Sequence, residues 1–330
     1  MTISRLLDLH GRPSVDNLRV SLTPVCDLRC TFCHQEGTVA HGRSMTTQEV
    51  IRICETAARV GVRYLKFTGG EPLLRSDIVE IVRATSPWFE DVSLVTNGRR
   101  LDALAQPLKD AGLKRLNVSL HTRDATTYKC LTGDSIEPAL RGIAAAVRVG
   151  FEPVKVNVVV THRNVHEIEE LIRWSARERV QLQLIEVHAP PGSPDHILDQ
   201  RVPLDIIQAR LRSAASRVEK SRMHDRARYV LDGTTVEVTR PQENPAFCAA
   251  CRRLRLTHDG YLKPCLMRAD NHVDVIGPLR GGAGDEGLTN IFREAASRRE
   301  PYCVGPTKLP VHLLAQPDRR AIPLGVAEGA

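Results

Sequence analysis

The sequence predicts an α/β protein built on a parallel β-sheet. Short β-branched or apolar segments alternate with longer amphipathic segments through the first half of the chain. Such alternation is typical of parallel strands joined by right-handed helical crossovers. The 330 residues are enough for one large domain, alone or with a smaller C-terminal module. Periodicity leaves open whether the sheet forms an incomplete barrel or a doubly wound layer.

Six predicted strands carry this expectation, and functional residues should lie at their carboxyl ends. The strands are predicted at residues 18–22, 64–68, 92–96, 115–120, 154–160 and 181–187. The helices between them are predicted at residues 47–60, 74–86, 101–112, 135–149 and 165–178. Thr46 and Glu49 have the spacing of a capping box at the start of the first helix.

The pattern changes after residue 188. Residues 203–218 are predicted to be helical, and residues 229–239 to form a hairpin that turns at Asp232 and Gly233. A second group of cysteines and a glycine-rich stretch at 281–287 follow. The last segment contains several prolines, and we expect it to be a poorly ordered tail.

Charge and composition narrow the function classes. The formal charge of +7 favours an anionic partner, which is either a nucleotide phosphate or a nucleic acid. Aromatic residues make up only 4% of the chain, which disfavours base stacking along a nucleic acid. No apolar stretch predicts a membrane span or a signal peptide, so we expect a cytoplasmic protein. Nine cysteines in such a chain indicate metal or redox chemistry rather than disulfides.

The first cysteine group follows the first predicted strand. Cys26, Cys30 and Cys33 have the spacing C-x3-C-x2-C. Three thiolates on one loop can hold three corners of an iron–sulfur cubane, and another ligand then completes the fourth iron. Zinc is the alternative, because thiolates also bind zinc; His34 or Cys303 would then be a fourth ligand.

This cysteine spacing after a first strand resembles the radical S-adenosylmethionine (SAM) superfamily. The sequence TGGEP at the end of the second strand resembles the GGEP segment of that superfamily, which binds the methionine amino group of SAM. The ends of the third and fourth strands also resemble SAM-contacting positions. The resemblance therefore implies these SAM-binding residues: Gly69, Gly70, Glu71, Thr96, Asn97 and Ser119.

The resemblance also implies a fold and a reaction. The fold would be an incomplete (β/α)6 barrel with a [4Fe–4S] cluster on Cys26, Cys30 and Cys33. An electron from the cluster would cleave SAM, and the resulting 5′-deoxyadenosyl radical would abstract a hydrogen from the substrate. A flavodoxin-type reductase would donate the electron.

A second cysteine group lies near the C-terminus. Cys248, Cys251 and Cys265 have the spacing C-x2-C-x13-C. A zinc ribbon without its fourth cysteine is one interpretation, and a second cluster with an open iron is the other. The surrounding sequence FCAACRRLRLTHDGYLKPCL resembles the MoaA family of molybdenum-cofactor biosynthesis. Members of that family carry an auxiliary [4Fe–4S] cluster here and rearrange GTP.

The family resemblance implies residues that act on the substrate. Two arginines between the second and third cysteines contact it in the family, and they fall on Arg253 and Arg255. These two alternate on a predicted strand and so share one face; with Cys26, Cys30 and Cys33 they make up the implied catalytic set. Basic substrate contacts fall on Arg19, Lys66 and Lys155, which suits a polyphosphate.

These inferences divide the chain into three parts. Residues 1–190 would form the SAM-cleaving partial barrel, residues 191–303 the region with the auxiliary cluster and substrate contacts, and residues 304–330 the tail. Some features depart from the family. Tyr64 and Gln183 replace a lysine and an arginine that contact the substrate, and the chain does not end in the Gly-Gly pair of bacterial relatives.

Several functions stay open at this stage. The first is GTP cyclisation, in which a ribose hydrogen is abstracted and a new carbon–carbon bond forms. The second is a paralogue that cyclises another nucleotide, such as a uridine-type one, in a specialised nucleoside pathway. A peptide-modifying enzyme and a zinc-bound nucleic-acid-binding module are weaker alternatives, and a homodimer stays open.

The metal content separates the enzyme from the zinc module. An iron–sulfur protein purified anaerobically should be brown, with up to about eight iron atoms per chain, whereas the zinc module would be colourless with about two zinc ions. Metal analysis and an absorption spectrum measure this. Cys26→Ala should lower the iron content, whereas Cys54→Ala should not, because Cys54 belongs to the apolar face of the first predicted helix. A colourless zinc protein would contradict the prediction.

Overall fold

The strands form one mixed sheet with a parallel centre. The computed structural model describes residues 6, 15–35, 43–190, 193–221 and 223–304. The strands of this part are β1 (Asn17–Ser21), β2 (Tyr64–Thr68), β3 (Asp91–Thr96), β4 (Arg115–Ser119), β5 (Val154–Val160), β6 (Gln181–Glu186), β7 (Arg217–Lys220), β8 (Ala227–Leu231), β9 (Thr234–Thr239), β10 (Arg253–Leu256), β11 (Tyr261–Lys263) and β12 (Val273–Asp274). Their order is β12-β11-β10-β1-β2-β3-β4-β5-β6-β9-β8-β7. The strands from β10 to β9 in that order all run parallel.

Helices connect the parallel strands. In chain order the described helices are α1 (Thr47–Arg59), α2 (Ile78–Thr85), α3 (Leu101–Asp110), α4 (Ala125–Thr132), α5 (Glu137–Arg148), α6 (Ile168–Arg177), α7 (Asp195–Leu198), α8 (Asp205–Ala214), α9 (Pro245–Ala249), α10 (Ile276–Arg280) and α11 (Asp285–Ser297). The predicted capping box at Thr46 and Glu49 is present at the start of α1. None of the helices in the described residues has the length and apolar character needed to cross a membrane.

The predicted α/β fold is confirmed. All six predicted strands of the first half are present with bounds that differ by at most one residue, because β-branched runs between helical patterns are a strong signal. The hairpin at Asp232 and Gly233 is also present, as β8 and β9. One helix of the first half was missed: α4 has only a weak apolar stripe, although Asp124 caps its start and Gly133 its end.

One predicted helix was too long. The pattern indicated a helix over 203–218, but α8 ends at Ala214 and β7 begins at Arg217. The strand forms because residues 217–220 pair antiparallel with β8. Pairing with the next strand, β8, therefore overrides the local helical preference.

The C-terminal strands continue the sheet at both of its sides. β10 pairs parallel with β1, and β9 pairs parallel with β6. Along each parallel strand, one face packs on the helices while the other faces the interior of the sheet. In β1, for example, Leu18 and Val20 are buried in the core and Arg19 between them faces inward. Side chains from the two halves of the sequence therefore share one interior.

Two glycines let α5 approach the end of β3. Gly98 follows β3 with a φ of +82°, and a Cβ on Gly142 would lie 2.0 Å from the Gly98 carbonyl oxygen. Such a distance is far below van der Waals contact, so Gly142 is needed for this close approach. The contact holds the strand end that carries Thr96 and Asn97 against the helix.

The Gly142→Ala substitution tests this packing. Alanine normally stabilises a helix by roughly 0.5–1 kcal/mol relative to glycine. At Gly142 the overlap should reverse the sign and lower the free energy of unfolding by about 1–3 kcal/mol. Gly287→Ala in α11 is the matched control, because a Cβ there lies 3.4 Å from the Ala283 Cβ and fits. Urea unfolding of both variants measures the difference, and equal stabilities would contradict the close approach.

Candidate active site

The curved sheet surrounds a cavity of about 750 Å³, which is within the usual range for ligand pockets. Each of the eight parallel strands contributes a side chain to its wall: Arg19, Lys66, Val95, Asn117, Asn157, Gln183, Thr239 and Arg255. Both predicted cysteine sets line the same cavity: Cys26, Cys30, Cys33, Cys248, Cys251 and Cys265. The fold therefore brings two groups together that lie more than two hundred residues apart in the sequence.

The first cysteine set lies on the loop after β1. Burial and, to a smaller extent, the nearby Cys33 and Cys26 thiols together raise the pKa of the Cys30 thiol to about 12. Burial also raises the pKa of Cys26, with a contribution from Cys33. The three thiols therefore form one electrostatically coupled group. A positively charged metal centre would offset the mutual repulsion of three thiolates.

The glycines of the TGGEP sequence hold the cysteine loop. The Gly70 amide donates a hydrogen bond to the Thr23 carbonyl at 2.7 Å, and the Glu71 amide donates one to the Val25 carbonyl at 2.7 Å. A Cβ on Gly70 would lie 2.2 Å from the Val25 carbonyl oxygen. Only glycine permits this approach, so the segment predicted to bind SAM also fixes the loop that carries Cys26.

Glu71 connects the second and third strand ends. Its carboxylate accepts hydrogen bonds from the Leu73 amide at 3.0 Å, the Thr96 hydroxyl at 2.7 Å and the Asn97 amide at 2.7 Å. Burial nevertheless raises its pKa to about 7. The Asn97 side chain in turn donates to Asp27 at 2.6 Å, on the cysteine loop. Of the predicted SAM-binding residues, Glu71, Thr96 and Asn97 thus form one network, and Gly69, Gly70 and Ser119 line the cavity with them.

The second cysteine set has a fourth cysteine, Cys303, close to it. The backbone amide of Cys303 donates a hydrogen bond to the Cys248 thiol. Burial raises the pKa of Cys248, and Cys265, Cys303 and Cys251 all raise it further. For Cys251, the nearby Arg299 and Arg253 outweigh burial and lower the pKa.

The zinc alternative gains no support at either set. Among residues 6, 15–35, 43–190, 193–221 and 223–304, no group of three or more His, Cys, Asp or Glu side chains has the arrangement of a single-ion site. Single zinc ions need closely spaced tetrahedral donors.

Cationic side chains from three strands meet on the cavity wall. In the register of the sheet, Arg19 on β1 lies beside Arg255 on β10 and Lys66 on β2. Burial lowers the pKa of Lys66 well below its ordinary value, and Arg115, Arg253 and Arg19 add to the shift. Burial lowers the pKa of Arg253 in the same way. These like charges destabilise one another, so this wall favours an anionic ligand.

The buried carboxylate of Glu237 pairs with two further cations. Glu237 on β9 accepts from Lys155 at 2.9 Å and from Arg226 at 2.8 Å. The Gln183 amide donates to Glu237 at 3.2 Å and to the Thr239 hydroxyl at 2.8 Å. Burial alone would raise the pKa of Glu237, but Arg226 and Lys155 outweigh it and lower the pKa. Glu237 therefore stays ionised and pairs with both cations, of which Arg226 lines the cavity.

The structure adds residues that the sequence did not indicate. Arg226 and His224 lie in the segment between β7 and β8, and both line the cavity. Nothing in the sequence distinguished them, because the chain has 46 lysines and arginines and 12 histidines. Tyr64, which stands where the family has a lysine, lies at the start of β2 and donates a hydrogen bond to Glu90 at 3.3 Å. Lys155, a predicted substrate contact, pairs with Glu237 at 2.9 Å, and neither residue is among those that line the cavity. The tail from residue 305 lies outside the described residues.

Comparison with known proteins agrees with this site. Residues 20–175 match the family model of the radical SAM superfamily, and residues 180–304 match the family model called Molybdenum Cofactor Synthesis C. A Pyrococcus abyssi protein named "Probable GTP 3',8-cyclase" is 45% identical over 305 residues, which cover 90% of this chain and 99% of that protein. A Thermococcus kodakarensis protein of the same name is 42% identical over 306 residues, with 90% and 99% covered.

Solved structures share the fold at low identity. SuiB from Streptococcus suis bound to S-adenosylmethionine has a TM-score of 0.59 at 15% identity; the match covers 76% of this chain and 60% of SuiB, which is less than two thirds of its length. The histidine-tagged protein anSMEcpe with bound AdoMet has a TM-score of 0.56 at 14% identity, with 85% of this chain and 79% of that chain covered.

The Glu237→Gln substitution tests the charge arrangement of the wall. It would leave Lys155 and Arg226 buried without their shared counter-charge, so the free energy of unfolding should fall by about 3–5 kcal/mol. Inorganic tripolyphosphate should recover part of this loss if it binds Arg226 at the cavity wall, because a ligand of the folded state alone stabilises that state. Glu219→Gln is the control: Glu219 forms its ion pairs near the surface and should contribute at most about 1 kcal/mol. Equal effects in urea unfolding would contradict the arrangement.

Proposed function

This chain belongs to the radical SAM superfamily, in its molybdenum-cofactor branch, and we propose that it cyclises GTP. The curated relatives that match almost the whole chain carry the name of that activity. The observation that carries the proposal is a cationic wall between two cysteine sets in one cavity. A triphosphate complements the charge of such a wall. The first cysteine set would belong to the radical source, and the second set would bind the base.

The residues of the first set fit the cofactors that the superfamily uses, SAM and a [4Fe–4S] cluster. Cys26, Cys30 and Cys33 would hold the cluster, since their thiols form one coupled group. When bound and reduced, these cofactors supply a 5′-deoxyadenosyl radical that abstracts a hydrogen atom. The SAM contacts would come from residues at or just after the ends of β2, β3 and β4, namely Gly69, Gly70, Glu71, Thr96, Asn97 and Ser119. Cys26 and Cys33 are exposed, which suits electron entry from a flavodoxin-type reductase.

The second set would hold a second [4Fe–4S] cluster. Cys248, Cys251 and Cys265 line the cavity, and their thiols interact electrostatically. Arg253 lies next to this set and lowers the pKa of Cys251, which favours the thiolate that a metal requires. Arg253 itself is fixed by a hydrogen bond from its Nε to Asn17 at 3.2 Å. The cluster, Arg253 and Arg255 would together form the end of the cavity that receives the base.

The cations of the wall would bind the triphosphate. Arg19 and Lys66 line the cavity from two different strands, and Arg226, which shares the partner Glu237 with Gln183, adds a third lining cation. Lys155 pairs with the same Glu237. Charge-assisted hydrogen bonds to phosphate are strong, and phosphate would relieve the repulsion among these side chains. Phosphate binding at this wall would fix the ribose between the two cysteine sets. The enclosing sheet would keep water away from the radical step.

An anaerobic assay tests the proposal. The reconstituted enzyme with SAM, a reductant and GTP should form 5′-deoxyadenosine and a product isobaric with GTP, since the cyclisation is an isomerisation. With GTP deuterated at C3′, deuterium should appear in 5′-deoxyadenosine by mass spectrometry. Cys26→Ala should abolish both products, whereas Cys130→Ala should not, because Cys130 is exposed on α4 and belongs to neither set.

The same assay distinguishes the paralogue. No deuterium transfer from GTP, together with turnover of a uridine-type nucleotide, would contradict GTP cyclisation and favour a paralogue with another substrate. Cleavage of SAM that ignores every nucleotide would contradict both.

A further inference from the structure

His224 is a buried histidine on the wall of the cavity that no family motif singles out. It lies between β7 and β8, is only 6% exposed, and lines the cavity. Its ring stacks on Phe247 with 3.8 Å between centroids and 15° between planes. Its backbone amide donates to the Ala250 carbonyl at 3.3 Å. Because Phe247 directly precedes Cys248 and Ala250 directly precedes Cys251, His224 lies at the second cysteine set.

Two features of His224 are unfavourable for the free energy of the folded state. Its Nδ1 atom is buried and has no hydrogen-bond partner among the described residues; an orphaned polar atom of this kind costs about 1–3 kcal/mol. His224 and Asp225 also have left-handed backbone, with φ of +66° and +49°, which is unfavourable for residues other than glycine. Both costs are located at the cavity wall. Such a concentration is typical of a site whose missing partner is a ligand.

The charge state of His224 determines what kind of ligand group it suits. Burial lowers its pKa far below the ordinary value, and Arg253, Arg226 and Arg255 lower it further. The imidazole is therefore neutral, with one N–H donor and one acceptor nitrogen. A neutral ring adds no charge for a phosphate, for which the wall already presents Arg19, Lys66 and Arg226. It does match the edge of a nucleobase, which presents donors and acceptors side by side.

We propose that His224 binds the base of the nucleotide substrate, with a ring nitrogen hydrogen-bonded to the base edge and Phe247 holding the ring in place. The inference rests on the proposed function in so far as the substrate is a nucleotide. It assigns recognition of the base to the segment between β7 and β8. The phosphates would lie against Arg19, Lys66 and Arg226.

Equilibrium binding to the reconstituted protein, without reductant, tests this role. The probes are GTP, ATP, UTP and inorganic tripolyphosphate. His224→Phe keeps a flat ring on Phe247 but removes both nitrogens. It should weaken GTP binding about tenfold and reduce the preference for GTP over ATP and UTP, while the tripolyphosphate affinity stays unchanged. His224→Asn, which tolerates left-handed backbone and keeps a hydrogen-bonding group, should recover part of the GTP affinity.

Controls separate this role from its alternatives. His162→Phe changes an exposed histidine outside the cavity and should leave every affinity unchanged. Iron content and the electron paramagnetic resonance spectrum should be the same in His224→Phe and in the unmodified protein. If His224→Phe does not fold, His224→Ala provides the same comparison.

Four results would overturn the inference. They are an unchanged GTP affinity in His224→Phe, an equal loss of GTP and tripolyphosphate affinity, a loss of iron from the second set, or an unmodified protein that binds all nucleotides as tightly as tripolyphosphate. Failure of the proposed function looks different: the unmodified protein would prefer another nucleotide and not turn over GTP. In that case the same pair of proteins, measured with the preferred nucleotide, still decides the role of His224.

Discussion

The parallel pairing of β10 with β1 is the contact on which the site depends. This pairing sets Arg255 beside Arg19 and Arg253 beside Asn17, although each pair is separated by more than two hundred residues of sequence. It also brings Cys248, Cys251 and Cys265 to the cavity that the first cysteine set lines. Parallel strands cannot be joined by a tight turn, so this neighbour relation depends on the whole chain between them. Without it, the protein would have two separate cysteine loops instead of one site.

Electrostatics explains why the wall can exist before a ligand binds. Buried like charges are unfavourable, and the structure limits the cost in two ways. Glu237 neutralises Lys155 and Arg226, and amide side chains such as Asn117 accept from Lys66 at 3.1 Å. The remaining excess of positive charge is concentrated near Arg253 and Arg255. A polyphosphate ligand would relieve the repulsion among these cations, and this relief would add to the free energy of binding. The charges that destabilise the folded protein would therefore favour an anionic substrate.

Much of the fold could be predicted from local pattern. The strands from β1 to β6 were predicted to within a residue because apolar periodicity records which face of each strand is buried. The overlong helix prediction at 203–218 was wrong where strand pairing decides, because residues 217–220 pair with β8 instead. The cysteine sets were recognisable because their spacing lies within short loops. Arg226, Glu237 and His224 were not, since single charged or aromatic residues have no distinctive spacing.

The sequence by itself determined the chemistry that the chain carries: two cysteine triplets, a glycine-rich strand end and the run of strand–helix units, all of which are local patterns. Only the tertiary structure decided that both triplets face one cavity, that Glu237 pairs with Lys155 and Arg226, and that His224 is buried beside Phe247. The physical reason is that local spacing specifies ligands and hydrogen-bond caps. Electrostatic balance and burial instead depend on neighbours that come together only when the sheet closes around its interior.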